Sequence, residues 1–360
     1  MRFHCIGFGH TQTTTEFSWC AYTQKLRRFA DNMTKRGHEV YLYAGDQNEA
    51  EVTELITLLP RDEQDALLEK AWSHIPGGNP AMNIDSPHWQ TFHQRLLPAL
   101  KDRVEPNDYL CFFIGKGQEF VQDEFPLAIP VECGIGYDNT FSDYRVYESY
   151  AYMHINYGHQ MGGQTLGRAS DTVIPNSYDD DEFELGDGSG GYALYIGRMI
   201  FSKGLEWIED LCDQMEIPLV TAGQEIEMSA PGDYRGVVGP EERKELYKNA
   251  AVTLVPTLYT EPFGGVHVES RLCGTPVITT DWGVFPETVV QGVDGWRVRS
   301  LGEALWALDN LPDDRVGIRD RALGKYSTSV VFDQYERYFE RIAAPDCGLL
   351  TGLKRQRPGG

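Results

Sequence analysis

The sequence predicts an α/β protein of two domains, each a mostly parallel sheet covered by helices on both faces. Three observations predict it. Short apolar runs bounded by turn residues alternate with longer helical stretches, which is the rhythm of βαβ units. That rhythm breaks in an acidic, Gly-Ser-rich segment between Asp171 and Gly191, and restarts at Tyr192. A chain of 360 residues is also too long for one ordinary domain and suits two, each able to bury its own core.

The first strand is expected from Phe3 to Phe8, followed by a helix from about Phe17 to Arg36 that Gly37 stops, and a strand from Glu39 to Ala44. Two polar helical stretches lead to short apolar strands at Tyr109 to Ile114 and Ile129 to Cys133. Val173 and Ile174 read as a further strand before Pro175, Asn176 and the acidic run from Asp179 to Glu184. In the second half, strands are expected near Ala193 to Ile196, Pro218 to Ala222, Val252 to Val255 and Val277 to Thr280. Helical residues from about Ser329 carry an apolar stripe at Val330, Phe332, Tyr335, Tyr338 and Phe339, which suits a closing helix that returns to the first domain. The expected division is a first domain over 1–170, a second over 171–328, the returning helix over 329–344 and a flexible tail over 345–360. Two such halves in tandem place a ligand crevice at the carboxyl ends of their strands.

Charge and cysteines narrow the partners. Lys and Arg number 32 against 54 Asp and Glu, so the net charge of -22 opposes binding to nucleic acid phosphates and anionic membranes. Basic residues gather locally at Lys25, Arg27, Arg28, Lys35 and Arg36, and in the tail at Lys354, Arg355 and Arg357, where solvated surface is the simpler account. The cysteines (Cys5, Cys20, Cys111, Cys133, Cys212, Cys273, Cys347) stand singly and are odd in number, without zinc-type pairing. They suit reduced thiols in a cytoplasmic protein. The absence of a signal-peptide pattern and of a membrane-length apolar run leads to the same expectation.

Two motifs carry chemistry. In the run from Glu261 to Glu269, Pro262 halts what precedes, and Gly264 and Gly265 bare the backbone before an apolar helix begins at about Val266. Helix amides there suit an anion, and two carboxylates about two turns apart suit the hydroxyls at either end of a long ligand. Two solvated glutamates on a loop and helix are the other reading of that spacing. The second motif is Gly197-Arg198 directly after a strand, with Lys203-Gly204 opening a helix. A guanidinium, a point charge and free amides are what a diphosphate needs, although two solvated cations fit the pattern as well. Losing one such preorganised donor typically costs on the order of 3 kcal/mol in transition-state stabilisation.

Taken in order, Tyr195-Ile196-Gly197-Arg198 with Lys203-Gly204, Glu261-Pro262-Phe263-Gly264-Gly265 through Glu269, Gly274-Thr275-Pro276-Val277, Glu287 and Asp294-Gly295 resemble the carboxyl-terminal domain of family-4-type retaining glycosyltransferases of the GT-B fold. The likeness runs over roughly 190–300, and Val173-Ile174-Pro175-Asn176 resembles the interdomain strand and turn of that family. It implies a GT-B architecture of two Rossmann-like domains facing each other across a cleft, with sugar transfer from a nucleoside-diphosphate sugar to an acceptor hydroxyl. The resemblance implies that Arg198 and Lys203 hold the diphosphate, that Glu269 binds the ribose hydroxyls, and that Glu261 with the amides of Phe263, Gly264 and Gly265 holds the donor sugar and distal phosphate. Gly223 and Val238 are candidates for the wall around the base. Glu261, Arg198 and Lys203 would be the catalytic group, with Glu261 orienting sugar hydroxyls rather than attacking carbon.

In the first half the likeness is topological. Gly7 and Gly9 stand where such enzymes place a glycine turn, and Gly9 is expected near the donor phosphates. Gln12 occupies the place of the third glycine of a dinucleotide fingerprint, which disfavours a nicotinamide cofactor. Many relatives carry a histidine near the end of a first-domain strand, whereas the matching loops here read Gly115-Lys116-Gly117 and Glu132-Cys133-Gly134. Lys116, Glu132 and Tyr137 are the acceptor-side candidates, with His10 and His154 as others and surface or packing roles as the alternative. His267 reads as a helix-packing residue. Asp179-Asp180-Asp181 reads as solvated, and because Arg198 and Lys203 already supply positive charge, neither a metal nor a resident cofactor is expected. A nucleotide-sugar epimerase and a silent nucleotide-sugar-binding protein remain as alternatives, because both would use many of the same groups.

Overall fold

The structure is a computed structural model that describes residues 1–72, 83–160 and 167–343. The chain divides into two compact units, the first comprising 1–147, 156–174 and the residues from 332 onward, the second 148–155 and 175–331. Cys347 and the basic residues of the tail lie outside the described residues.

Unit 1 is built on a seven-stranded sheet whose paired neighbours are all parallel. Its strands are β1 (Arg2–Ile6), β2 (Glu39–Ala44), β3 (Glu54–Thr57), β4 (Tyr109–Phe112), β5 (Ile129–Ile135), β6 (Tyr144–Tyr147) and β7 (Thr172–Val173), in the order β3-β2-β1-β4-β5-β6-β7. The connecting helices are α1 (Ala21–Lys35), α2 (Arg61–Trp72), α3 (Pro87–Lys101) and α4 (Tyr150–Gln160), of which α4 starts in unit 2. Parallel strands need such crossovers, and with helices on both faces the strands become continuous apolar runs. On one face Ile6, Tyr43, Leu110 and Phe112 pack with Phe92 and Leu96 of α3. The helix expected from Phe17 begins at Ala21, because a separate 3-10 turn occupies Thr15–Phe17.

Unit 2 repeats the plan with six parallel strands: β8 (Ala193–Ile196), β9 (Leu219–Ala222), β10 (Asp233–Tyr234), β11 (Val252–Val255), β12 (Val277–Thr280) and β13 (Gly295–Val298). Their order, β10-β9-β8-β11-β12-β13, is that of a Rossmann sheet, and the winding reverses between β8 and β11. The helices are α5 (Leu205–Met215), α6 (Pro240–Asn249), α7 (Gly265–Leu272), α8 (Phe285–Thr288), α9 (Leu301–Asp309) and α10 (Arg315–Tyr326). One core gathers Leu194, Val220, Tyr247, Val268 and Tyr326, the other Ala193, Ile208, Leu254, Ile278 and Ala307. The two sets alternate along β8, as a sheet buried on both faces requires.

The last described helix, α11 (Thr328–Ala343), passes into unit 1 at Phe332. There Phe339 packs edge-on against Phe3 at 4.8 Å and Tyr109 at 4.9 Å, and Tyr335 meets Phe29 at 5.4 Å. The Tyr109 hydroxyl donates to Phe339 O at 2.9 Å, and the Tyr338 hydroxyl to Ser170 O at 2.9 Å. No described helix is long and apolar enough to cross a membrane.

Candidate active site

The carboxyl ends of the unit 2 strands carry most of the predicted residues, because parallel pairing sends every strand-to-helix loop to the same edge. Gly197 and Arg198 follow β8, Gly223 follows β9, and the loop containing Glu261 follows β11. These loops are tied together. The Leu258 amide donates to Ser202 O at 2.8 Å, and the Gly223 amide to Gly236 O at 2.8 Å. Gly223 has φ 137, and a Cβ there would collide with Gly197 O, so a bare backbone is required where the β8 and β9 loops meet.

Lys203 and Glu261 meet directly, Nζ to Oε2 at 2.5 Å. The Tyr259 hydroxyl donates to the same oxygen at 2.8 Å, and Lys203 Nζ sits 4.8 Å from the centre of the Tyr259 ring. Tyr195, at the end of β8, donates to Arg198 O at 2.8 Å. Burial pushes both tyrosine hydroxyls well above their usual range, with neighbouring Glu261 acting in the same direction, so they act as neutral donors. The Arg198 side chain is exposed and makes no ion pair or hydrogen bond with a described residue. An unpaired guanidinium beside a lysine already held in place is suited to an arriving dianion.

The start of α7 completes this edge. Gly264 has φ 72, and a Cβ there would lie 2.9 Å from Glu261 Cγ. At Gly265 a Cβ would come within 2.7 Å of the Tyr178 hydroxyl. The helix has no side-chain cap, and the amides of Phe263, Gly264 and Gly265 donate to no described residue. Such amides form an anion site at a helix N-terminus. Phe263 is buried edge-on against Tyr326 at 5.8 Å, so its ring anchors the loop. Ser149 Oγ donates to Pro262 O at 2.6 Å and fixes the same turn from the start of α4.

Glu269 lies on α7, half-buried. Its Oε2 accepts from the Tyr247 hydroxyl at 3.2 Å and pairs with Arg243 Nε, also at 3.2 Å. His267 is fully buried, its Nδ1 against Gly264 O and its Nε2 2.8 Å from Thr288 Oγ1. Burial holds its pKa well below the usual value, which makes it a neutral packing residue, as expected. Val238 is half-buried on the core under α6. Glu287 accepts the first amides of α4, Tyr150 at 2.9 Å and Ala151 at 2.6 Å, and so caps a helix.

The unit 1 candidates are distributed differently. Gly9 is a packing glycine, since a Cβ would stand 3.0 Å from His88 O and from Trp89 Cα of α3. Glu132 has no exposed surface, and its Oε2 accepts the amides of Phe141 and Ser142, each at 2.8 Å. The Tyr137 hydroxyl donates to its other oxygen at 3.2 Å, so Glu132 and Tyr137 form one buried network that holds the loop after β5. Burial pushes the Glu132 carboxyl up to about 7, opposed by those amides and by Arg145. Lys116 is exposed and lines an open depression of about 630 Å³ with His93, Phe120, Glu119 and Asp123. His10 is buried against Trp89 at 5.3 Å, with Cys20 Sγ 3.5 Å from its Nε2, and His154 is exposed. Sequence reasoning missed Arg243, Tyr247 and Tyr259, and gave Tyr195 a place in a motif but no role. For the first two a signal existed, because residues four apart on α6 share one face.

Two parallel-sheet α/β units of Rossmann type, with a candidate site at the switch point of the second, define a GT-B architecture. Solved structures agree on the fold. A glycosyltransferase of avilamycin A biosynthesis superposes with a TM-score of 0.65 at 17% identity, covering 96% of this chain and 98% of its own. Anabaena HepE in complex with UDP and glucose gives 0.62 at 14% identity, covering 94% and 99%. Residues 181–305 match the family described as glycosyl transferases group 1, within a chain of GT-B fold. Among curated relatives, an uncharacterised glycosyltransferase of Methanocaldococcus jannaschii is 27% identical over 163 residues, 40% of each chain. A phosphatidyl-myo-inositol mannosyltransferase of Mycobacterium leprae is 26% identical over 204 residues, 48% of this chain and 54% of its own. The matches therefore span about half or less of these relatives' length.

Proposed function

We propose that this protein is a retaining glycosyltransferase that moves a sugar from a nucleoside-diphosphate sugar to an acceptor hydroxyl. The observation that carries the reading is the gathering of Arg198, Lys203, Glu261, the first amides of α7 and Glu269 at one edge of the unit 2 sheet. The 171–328 segment would be the donor domain and 1–170 the acceptor side, and the UDP and UDP-glucose held by HepE support a nucleotide-sugar as the donor. Free, buried cysteines favour a reducing compartment, and we place the enzyme in the cytoplasm.

In this reaction the bond between the anomeric carbon and the diphosphate oxygen breaks, and its electron pair stays with the diphosphate. Arg198, Lys203 and the α7 amides stabilise that growing charge, which is the part a divalent metal would otherwise play. The acceptor oxygen bonds to the anomeric carbon on the face being vacated, and its proton passes to the departing phosphate oxygen. Glu261, held by Lys203 and Tyr259, orients the sugar hydroxyls, while Glu269 holds the ribose.

Calorimetric titration with UDP-, GDP- and ADP-sugars tests the reading. One donor should bind, and Arg198→Ala and Glu269→Ala should each weaken it by at least about tenfold, as expected for the loss of a charge-assisted hydrogen bond. Unchanged affinity in both variants would overturn the assignment.

A further inference from the structure

The geometry points to Arg243 as a positioning and specificity residue that works with Glu269 to select a ribose hydroxyl, an inference that rests on the nucleotide-sugar reading above. Glu269 is divided in use. Its Oε2 takes the Tyr247 hydroxyl and the Arg243 guanidinium, both at 3.2 Å, while its Oε1 accepts no hydrogen bond from a described residue and faces the bare backbone of Gly265. Arg243 contributes the opposite vacancy. Its Nε is buried, yet the N–H is not aligned on Oε2 and finds no hydrogen-bond acceptor, so its pairing with Glu269 is one of charge alone. A buried N–H without an acceptor is costly and native structures leave few of them, so a ligand that supplies the acceptor gains from it.

An open acceptor beside an open donor is the complement of a group that both donates and accepts through a single atom. A hydroxyl does this, whereas a ketone, an ether or a hydrogen does not. A ribose hydroxyl would donate to Glu269 Oε1 while its oxygen accepts from Arg243 Nε. A deoxyribose at that carbon would leave both protein groups unpaired, and a site built to bond a hydroxyl rejects the analogue lacking it most strongly for that reason. Tyr247 keeps the arrangement asymmetric by occupying Oε2 from the same helix, four residues further along α6. Arg243 touches no reacting atom, so it sets affinity and sugar selectivity rather than the rate of the chemical step.

The test uses the full chain and whichever of UDP, GDP or ADP binds it, compared with the 2′-deoxy and 3′-deoxy forms of the same nucleotide by titration calorimetry. Wild type should discriminate against one deoxy form by at least about tenfold. Arg243→Met should lower affinity for the ribonucleotide to near that of the deoxy form while barely changing the deoxy affinity, and Arg243→Lys should restore part of the difference. Tyr247→Phe deletes one hydroxyl, is expected to fold, and should narrow the discrimination to a lesser degree, which provides an independent reading should Arg243→Met fold poorly. Failure of every nucleotide to bind wild type would overturn the nucleotide-sugar reading itself. Binding with full discrimination retained in Arg243→Met, or in Tyr247→Phe if that is the variant that folds, would overturn the role given to α6 alone.

Discussion

Glu132 shows how a polar residue next to a strand end misleads when read as sequence. In the sequence, Glu132-Cys133-Gly134 reads as a loop that offers a carboxylate, yet the structure sets Glu132 in the middle of β5, gives it no exposed surface and surrounds it with amides of its own chain. The consequence can be measured. Its carboxyl titrates at about 7 in the fold against a usual value of 4.5, so the folded state holds the proton more tightly than the unfolded one. This contribution is full below about pH 4.5 and is lost as pH rises toward 7. Glu132→Gln should flatten the fall in stability between pH 4.5 and pH 7.5 by on the order of 2 kcal/mol, read from denaturant unfolding at several pH values. Parallel pH profiles for the two proteins would show that the carboxyl is not so perturbed. Arg243 is the opposite case: its spacing from Tyr247 puts the two on one face of α6, but only the fold brings that face to Glu269. Arg198, Lys203, Glu261 and Glu269 stand in contiguous motifs around strand-to-helix turns, which is why the sequence singles them out as candidates.

At the scale of elements, the central strands were readable because burial on both faces makes them apolar without interruption. The strands not anticipated, β3, β6, β10 and β13, are two to four residues long, and three of them lie at sheet edges, where one side is unpaired and polar residues are tolerated. In β10 both residues are exposed, so no hydrophobic pattern exists to be read. The expected start of α1 lies four residues early because Phe17 with Cys20 and Ala21 has the i, i+3, i+4 spacing of a helical turn, whereas Thr15–Phe17 forms a separate 3-10 turn. Loop contacts at strand ends were equally hidden. Gly223 was named only as a wall residue, but its φ of 137 and its closeness to Gly197 O make it the point where two site loops pack. Gly223→Ala should destabilise the fold by about 1–3 kcal/mol and weaken donor binding as Gly197 and Arg198 are displaced. Chemical denaturation and titration of the same variant check both effects, and wild-type stability would show that the backbone there is relaxed.

At the scale of the whole molecule, the chain passes between its two units at 147–148, 155–156, 174–175 and 331–332. Two of these passages run inside helices: α4 begins in unit 2 and ends in unit 1, and α11 does the same before packing its aromatic stripe on Phe3, Phe29 and Tyr109. The stripe was legible from its spacing. The passage within α4 was not, because a helix gives no local sign of which core each of its turns serves. The central claim is that the switch point of unit 2 holds a nucleoside diphosphate in one defined orientation. The most direct test is a crystal structure with the nucleoside diphosphate that binds best. The account predicts diphosphate oxygens within hydrogen-bond reach of Arg198, Lys203 and the first amides of α7, with the ribose against Glu269. A nucleotide bound elsewhere, or bound here with its ribose turned away from Glu269, would contradict it.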